Sequence, residues 1–416
     1  MLEDEQRQHG GGLAVAEPAE VGFDAARLSR IDTHFARYVD DGRLAGTTVA
    51  VARRGRVVHL SHYGLADVEA ARPVADDTLW RIYSMTKPIT SVAALMLHER
   101  GRLELTDPVA RYLPAFADMR VYRGGSAANP GTEPATEPMR VWHLLTHTAG
   151  LTYGFHHAHP VDEMYRGRGF EFGVPQGMDL AAACAAWAEI PLVHQPGAEW
   201  NYSVATDVLG RVVEVVSGQP LDEFLDEHIL RPLDMTDTGF VATDVDRLAA
   251  LYIPTPDGGL RRHDRMGDAA TRVPSFLSGG GGLVSSAADY HRFTQMLARG
   301  GELDGARLLG PRTVAYATRN HLPGGVDLQA FGRPIFAESA FGGIGFGLGF
   351  SVVVDPAAGK AVTNAGEYAW GGLASTAFYV DPVEEITAMF FTQLMPSSTY
   401  PIRAQLRTLV SQALVD

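Results

Sequence analysis

Apolar positions change their spacing several times along this chain. From Asp24 to Gly42 they recur every three to four residues. Leu28, Ile31, Phe35, Tyr38 and Val39 share one side, predicting a helix that Asp24 caps and Gly42 ends. Residues 47–52 and 57–63 flank Arg53-Arg54-Gly55-Arg56 and read as a β-hairpin. Helical spacing returns after Ser84, with Ile89, Val92, Ala93 and Met96 on one face. Ser84 stands at the N-cap position, Pro88 is tolerable only in an opening turn, and Gly101 stops the helix. Short helices are predicted from Leu105 and from Val141, and longer runs over residues 179–189, 204–217, 221–230 and 287–299. Another helix opens at Pro311, while residues 122–138 lack any period and read as a surface loop.

Beyond residue 340 the pattern becomes strand-like. Residues 347–354, 360–364, 375–380 and 386–392 are predicted strands, and a helix over 401–415 closes the chain. Strands at both ends with helices between them predict an α+β fold: one antiparallel sheet built from both chain ends, flanked by helices, with a mostly helical inserted region. The division expected is a flexible tail over 1–20, a sheet domain over 21–83 plus 283–416, and a mostly helical domain over 84–282. The active site is expected where the last two meet.

Composition narrows the function classes. The 46% hydrophobic and 20% charged content is that of a globular chain. A net charge of −14 without any basic block argues against nucleic acid or an anionic membrane surface as partner. No apolar run reaches the length of a membrane span, and residues 1–12 lack the apolar centre of a secretion signal, so a cytoplasmic location is expected. The single cysteine, Cys184, lies in an Ala-rich run and reads as a buried, inert thiol.

The chemistry concentrates at Ser84-Met85-Thr86-Lys87. One helical turn separates the serine from the lysine and puts both on one side, where a proton can pass between them. The helix entrance also offers free N–H groups to an anion. Among 35 basic residues only Lys87 and Lys360 are lysines. Arginine stays charged in a protein, whereas a desolvated lysine can lose its proton. Lys87 is therefore either a proton carrier or a surface charge behind a capping serine. Gly-x-Ser-x-Gly is absent, so a nucleophile elbow has no support. His156, His157 and His159 cluster without the spacing of a metal site and read as a polar loop. Tyr202, on a loop between Gly197 and an apolar helix, is either a proton acceptor activated by an ammonium or a half-buried hydrogen-bonding tyrosine.

Five stretches together resemble the ordered landmarks of the serine β-lactamase and penicillin-binding-protein superfamily. They are Ser84-Met85-Thr86-Lys87, Leu144-Leu145-Thr146-His147-Thr148-Ala149-Gly150-Leu151, Tyr202-Ser203-Val204, Gly280-Gly281-Gly282-Leu283-Val284-Ser285 and Tyr368-Ala369-Trp370-Gly371-Gly372. The resemblance runs from about residue 20 to 415 and is nearest to class C β-lactamase-like esterases, the family VIII carboxylesterases. It implies a β-lactamase/DD-peptidase-like fold. It also implies Ser84 as acylated nucleophile, Lys87 as its proton carrier and Tyr202 as general base. Trp370, Gly371 and Gly372 match the third motif, and the backbone N–H groups of Ser84 and Leu373 the oxyanion hole. Two positions depart from the β-lactamase pattern: Val204 replaces an asparagine, and Trp370 replaces a cation that would pair with a β-lactam carboxylate. Both favour neutral esters.

The reading that follows is a serine carboxylesterase acting on small or short-acyl esters without metal or cofactor. Either Tyr202 or Lys87 takes the Ser84 proton. Tyr153, Phe155 and Phe341 are candidates for the acyl pocket, and core packing would explain them equally. The same acyl-enzyme would serve a β-lactamase, an amide hydrolase or an acyltransferase. A non-enzymatic binding protein on this fold predicts loss of Ser84, Lys87 or Tyr202, and all three are present.

Overall fold

The computed structural model describes residues 13–416. Its centre is an eight-stranded antiparallel sheet. The strands are β1 (Gly46–Arg53), β2 (Arg56–Asp67), β3 (Arg72–Pro73), β4 (Ile344–Phe346), β5 (Ser351–Val353), β6 (Tyr368–Gly371), β7 (Ala377–Asp381) and β8 (Ile386–Phe391). They lie side by side as β4-β5-β6-β7-β8-β1-β2-β3, so the two ends of the chain join where β1 pairs with β8. Every residue of both central strands is buried. Within them Val49–Ala52 and Ala388–Phe391 read as continuous apolar runs.

Alternation along β8 divides the core. Ala388 and Phe390 face an outer layer made by helix α1 (Arg30–Asp40) and the C-terminal helix Ile402–Ser411. There Phe390 packs on Phe35, ring centres 4.6 Å apart. Met389 and Phe391 face the larger, inner core. Phe391 stacks 6.2 Å from Trp80 and meets Tyr290 of the Ala287–Ala298 helix edge-on. Each buried phenylalanine contributes about 1.5–3 kcal/mol. Helix α2 (Thr86–Glu99) runs through this inner core and is buried all round from Thr86 to Leu97. Helix α3 (Ala205–Ser217) lies beside it.

Three local expectations need correction. Residues 122–138 are no loop: Arg120–Ser126 and Asn129–Pro134 form a hairpin. Its side chains are mostly exposed, so no apolar alternation marks it. Residues 360–364 form no strand: Lys360 adopts a left-handed conformation and Val362 is solvent-exposed. The strand begins instead at Tyr368, where β5 and β7 offer partners. The tail ends earlier than residue 20. Val15 bridges Val57, the Ala16 N–H donates to the Val57 carbonyl at 2.7 Å, and Pro18–Val21 forms a 3₁₀ turn. Residues 1–12 of the expected tail lie outside the described residues. Cys184 is buried in the Leu180–Ala188 helix, and burial pushes its thiol pKa well up. Among the described residues no helix is long and apolar enough to cross a membrane.

Candidate active site

The short strand Trp80–Arg81, paired with Val284–Ser285, delivers the chain to the entrance of α2. Tyr83 then takes φ = 43°, a left-handed conformation that costs a non-glycine residue about 1–2 kcal/mol. This twist throws Tyr83–Met85 into a 3₁₀ turn ahead of the helix. The sequence predicts Ser84 as the N-cap, but Met85 holds that position, without any side-chain bond. The Ser84 hydroxyl is turned away from the helix amides and into the cluster of groups that follows.

Two donors reach Ser84 Oγ. The Tyr202 hydroxyl donates at 2.6 Å and Lys87 Nζ at 3.2 Å. Lys87 Nζ also donates to the Gly280 carbonyl at 2.6 Å and to the Tyr153 hydroxyl at 3.0 Å. The Gly280 carbonyl is in turn fixed by Asp207 of α3, which accepts the Gly280 N–H at 2.9 Å and the Ser278 hydroxyl at 2.6 Å. Burial pulls the Lys87 pKa down to about 8, against the raising pull of Asp207 and Glu338. It pushes the Tyr202 phenol well up, helped by the Glu338 charge and opposed by the bond to Ser84. The same cause raises the Asp207 carboxyl, with Lys87 opposing.

Aromatic rings hold Tyr202 in place. Trp200 stacks on it at 6.1 Å, and His147, Tyr153 and Trp370 meet it edge-on at 5.0, 5.3 and 5.4 Å. Burial, and then the Lys87 charge, drives the His147 pKa well down.

The opposite wall is β6 with the turn after it. A Cβ on Gly371 would run into the Arg403 guanidinium, and one on Gly372 into the Ile82 carbonyl and Thr376 Oγ1. Only glycine lets this strand lie so close to the segment that leads to the nucleophile. The Gly372 N–H donates to the Thr376 carbonyl and the Ser375 N–H to the Gly372 carbonyl, closing the turn that carries Leu373. Among the described residues the backbone N–H groups of Ser84 and Leu373 find no acceptor, which leaves both free for an oxyanion. Behind the turn, Arg403 donates to the buried Glu338 carboxylate at 2.5 Å, and Ser397 Oγ donates to it at 2.7 Å.

Ser84, Lys87, Tyr202, Tyr153, Trp370, Gly371, Gly372 and Leu373 thus converge. Phe155 stacks 4.7 Å from Tyr153, one ring further out. Phe341 does not join them: it packs edge-on against Trp200 at 5.6 Å, a layer behind Tyr202. Three participants escape sequence reasoning. Asp207 leaves one clue, an acid on the buried face of its helix beside Ala205, Val208 and Leu209. Tyr153 is named there for the acyl pocket, not as a ligand of the lysine. Glu338 leaves no clue.

The chain as a whole is similar to several known proteins. The Beta-lactamase family model matches residues 31–412. Protein Rv1367c of Mycobacterium tuberculosis is 38% identical over 86% of this chain and 88% of its own length. Esterase EstB of Burkholderia gladioli is 34% identical over 91% of this chain and 94% of its own. Among solved structures, EstCE1, a hydrolase with promiscuous acyltransferase activity, superposes with a TM-score of 0.78 at 28% identity, covering 93% of this chain and 98% of that one.

Proposed function

This chain belongs to the beta-lactamase family, and on that premise we propose that it is a serine carboxylesterase cleaving small or short-acyl esters through a Ser84 acyl-enzyme. The observation that carries the reading is the position of Ser84 Oγ, within 2.6 Å of the Tyr202 hydroxyl and 3.2 Å of Lys87 Nζ inside a buried cluster.

Hydrogen-bond accounting supports Lys87 as the acceptor of the first proton. A neutral amine has two N–H donors and one lone pair. If Lys87 gives its two hydrogens to Gly280 and Tyr153, its lone pair faces Ser84 Oγ. Ser84 then donates to Lys87 while accepting from Tyr202. A lysine titrating near 8 reaches that state under mild conditions, whereas a phenol pushed up by burial does not. Lys87 accordingly takes the serine proton and Oγ attacks the ester carbonyl. The oxyanion rests on the Ser84 and Leu373 N–H groups, and the departing alkoxide is protonated from the Lys87–Tyr202 pair. Water repeats the sequence and releases the acid.

The choice of neutral esters is supported by Val204 and Trp370. Val204 is buried and offers no amide to an acylamino group. Trp370 fills the third motif with an apolar ring, almost wholly buried against Tyr202 and Phe346. A second reading, acyl transfer, is favoured by the description of EstCE1 and requires only that an alcohol take the place of water.

The test uses nitrophenyl acetate and butyrate, a chromogenic cephalosporin and a serine-directed fluorophosphonate. Ester hydrolysis and labelling at Ser84 are expected, with both lost in Ser84→Ala. Hydrolysis that persists in Ser84→Ala sinks the proposal. Added alcohol that diverts the acyl group into a new ester establishes the second reading.

A further inference from the structure

A column of aromatic rings leads from the site to the surface. Tyr153, whose hydroxyl accepts from Lys87, stacks on Phe155 at 4.7 Å with the planes 19° apart. Phe155 stacks in turn on Phe172 at 5.5 Å with the planes 5° apart, and Phe336 stands edge-on to Phe155 at 6.1 Å. Burial falls steadily along it. Tyr202 is enclosed, Tyr153 and Phe155 are half-buried, and Phe172 is 54% exposed.

The rings come from three separate segments, and each is tied to the site. Gly154 packs so closely on the Phe170 carbonyl that a Cβ there would clash, which holds the Phe172 segment against the Tyr153–Phe155 turn. The Phe336 segment is fastened at both ends. The Trp200 N–H donates to the Phe331 carbonyl at 3.0 Å, and Arg403 donates to the Glu338 carbonyl at 2.8 Å. Among the described residues Phe172 stacks on no other ring, so it presents an aromatic face to solvent. Phe172 thus carries the aromatic wall of the site out to the surface.

We propose that this column is the wall against which an aromatic arm of the ester lies, making aryl-bearing esters the preferred substrate class. The proposal rests on the serine-esterase reading. Ring faces and edges carry complementary partial charges, so a planar aromatic group gains from stacking beyond what its apolar area supplies. The reaction itself is unchanged: one water is consumed, the ester C–O bond breaks, and an acid and an alcohol are released. The arm belongs to either the acyl or the alcohol half, and substrates separate the two.

The experiment compares kcat/KM for 2-naphthyl acetate with cyclohexyl acetate, and for ethyl 2-naphthoate with ethyl cyclohexanecarboxylate. Wild type, Phe172→Ala, Phe172→Trp and Ser84→Ala are assayed side by side. In Phe172→Ala the aryl-to-cyclohexyl ratio is expected to drop about three- to tenfold, through KM, for one half of the ester. Phe172→Trp is expected to restore it. The half that responds identifies the arm. A ratio unmoved in both pairs, while Ser84→Ala abolishes hydrolysis, overturns this proposal and leaves the esterase reading standing. Hydrolysis surviving in Ser84→Ala overturns both.

Discussion

The Tyr202 hydroxyl donates a 2.6 Å hydrogen bond to Ser84 Oγ across 118 positions of sequence. The contact is buried. Removing the hydroxyl keeps the ring in its aromatic cage and deletes only the proton donor. Tyr202→Phe is expected to lower kcat on nitrophenyl butyrate about 10²–10⁴-fold with little change in KM. A variant that keeps a tenth of the wild-type kcat would exclude Tyr202 from the proton path.

Lys87 fixes the pH dependence. Burial brings its pKa from 10.5 to about 8, and in the proposed mechanism the active form is the neutral amine. Hydrolysis should therefore rise with pH through the region around 8 and level off above it, as a kcat/KM profile on a non-ionising ester would report. Lys87→Arg should abolish the rise together with the activity, because a guanidinium keeps its proton. Linkage has the matching sign. Between about 8 and 10.5 the unfolded chain holds a proton that the folded one lacks, so this lysine adds stability as pH climbs through that window and withdraws it on the way down.

Asp207 acts on the same titration from one shell further out. Its carboxylate raises the Lys87 pKa and anchors the Gly280 carbonyl. Asp207→Asn removes the charge while keeping an acceptor for the Gly280 N–H. The rising limb of the profile should move to lower pH, and kcat should fall as the lysine's carbonyl partner loosens. A limb that stays in place would mean that Asp207 serves only to pack the glycine loop.

How much of this was legible depended on the distance over which each signal acts. Ser84 and Lys87 were readable because one helical turn fixes their relation, and α1, the β1–β2 hairpin and β8 were readable because their apolar spacing or unbroken apolar run is local. Tyr202 and the Trp370-Gly371-Gly372 strand were recognisable only by resemblance, since nothing in their own spacing ties them to Ser84. Tyr368-Ala369-Trp370-Gly371 is only four residues long, too short to show a period, and the sequence pattern puts a strand at 360–364 instead. The Glu338–Arg403 pair was invisible: two charges 65 positions apart meet only through the fold.

Gly372 tests the oxyanion turn. The Cβ of an alanine there would meet the Ile82 carbonyl and Thr376 Oγ1, so β6 must retreat from the nucleophile strand. The Leu373 N–H moves with it. Gly372→Ala is expected to reduce kcat by about 10²–10³, the loss of one preorganised oxyanion donor. Affinity for a boronic-acid transition-state analogue should fall by a similar factor. Unchanged boronate binding would show that Leu373 does not serve the oxyanion.

The Glu338–Arg403 pair makes a different kind of prediction, because its two halves are not equivalent. Glu338 is almost fully enclosed, at 1% side-chain exposure, while Arg403 keeps 22%. Removing the arginine strands a buried carboxylate with Ser397 as its one remaining donor among the described residues, whereas neutralising the glutamate leaves a guanidinium that can still reach water. Arg403→Met should therefore cost more stability than Glu338→Gln, toward the lower end of about 3–5 kcal/mol. Urea unfolding of the two variants measures the difference. The glutamate also raises the pKa of both Tyr202 and Lys87, so in Glu338→Gln both should titrate lower and the activity profile should move toward acid. Equal destabilisation by the two substitutions would mean that the pair is solvated in the folded protein, and the shift in the profile should then vanish with it.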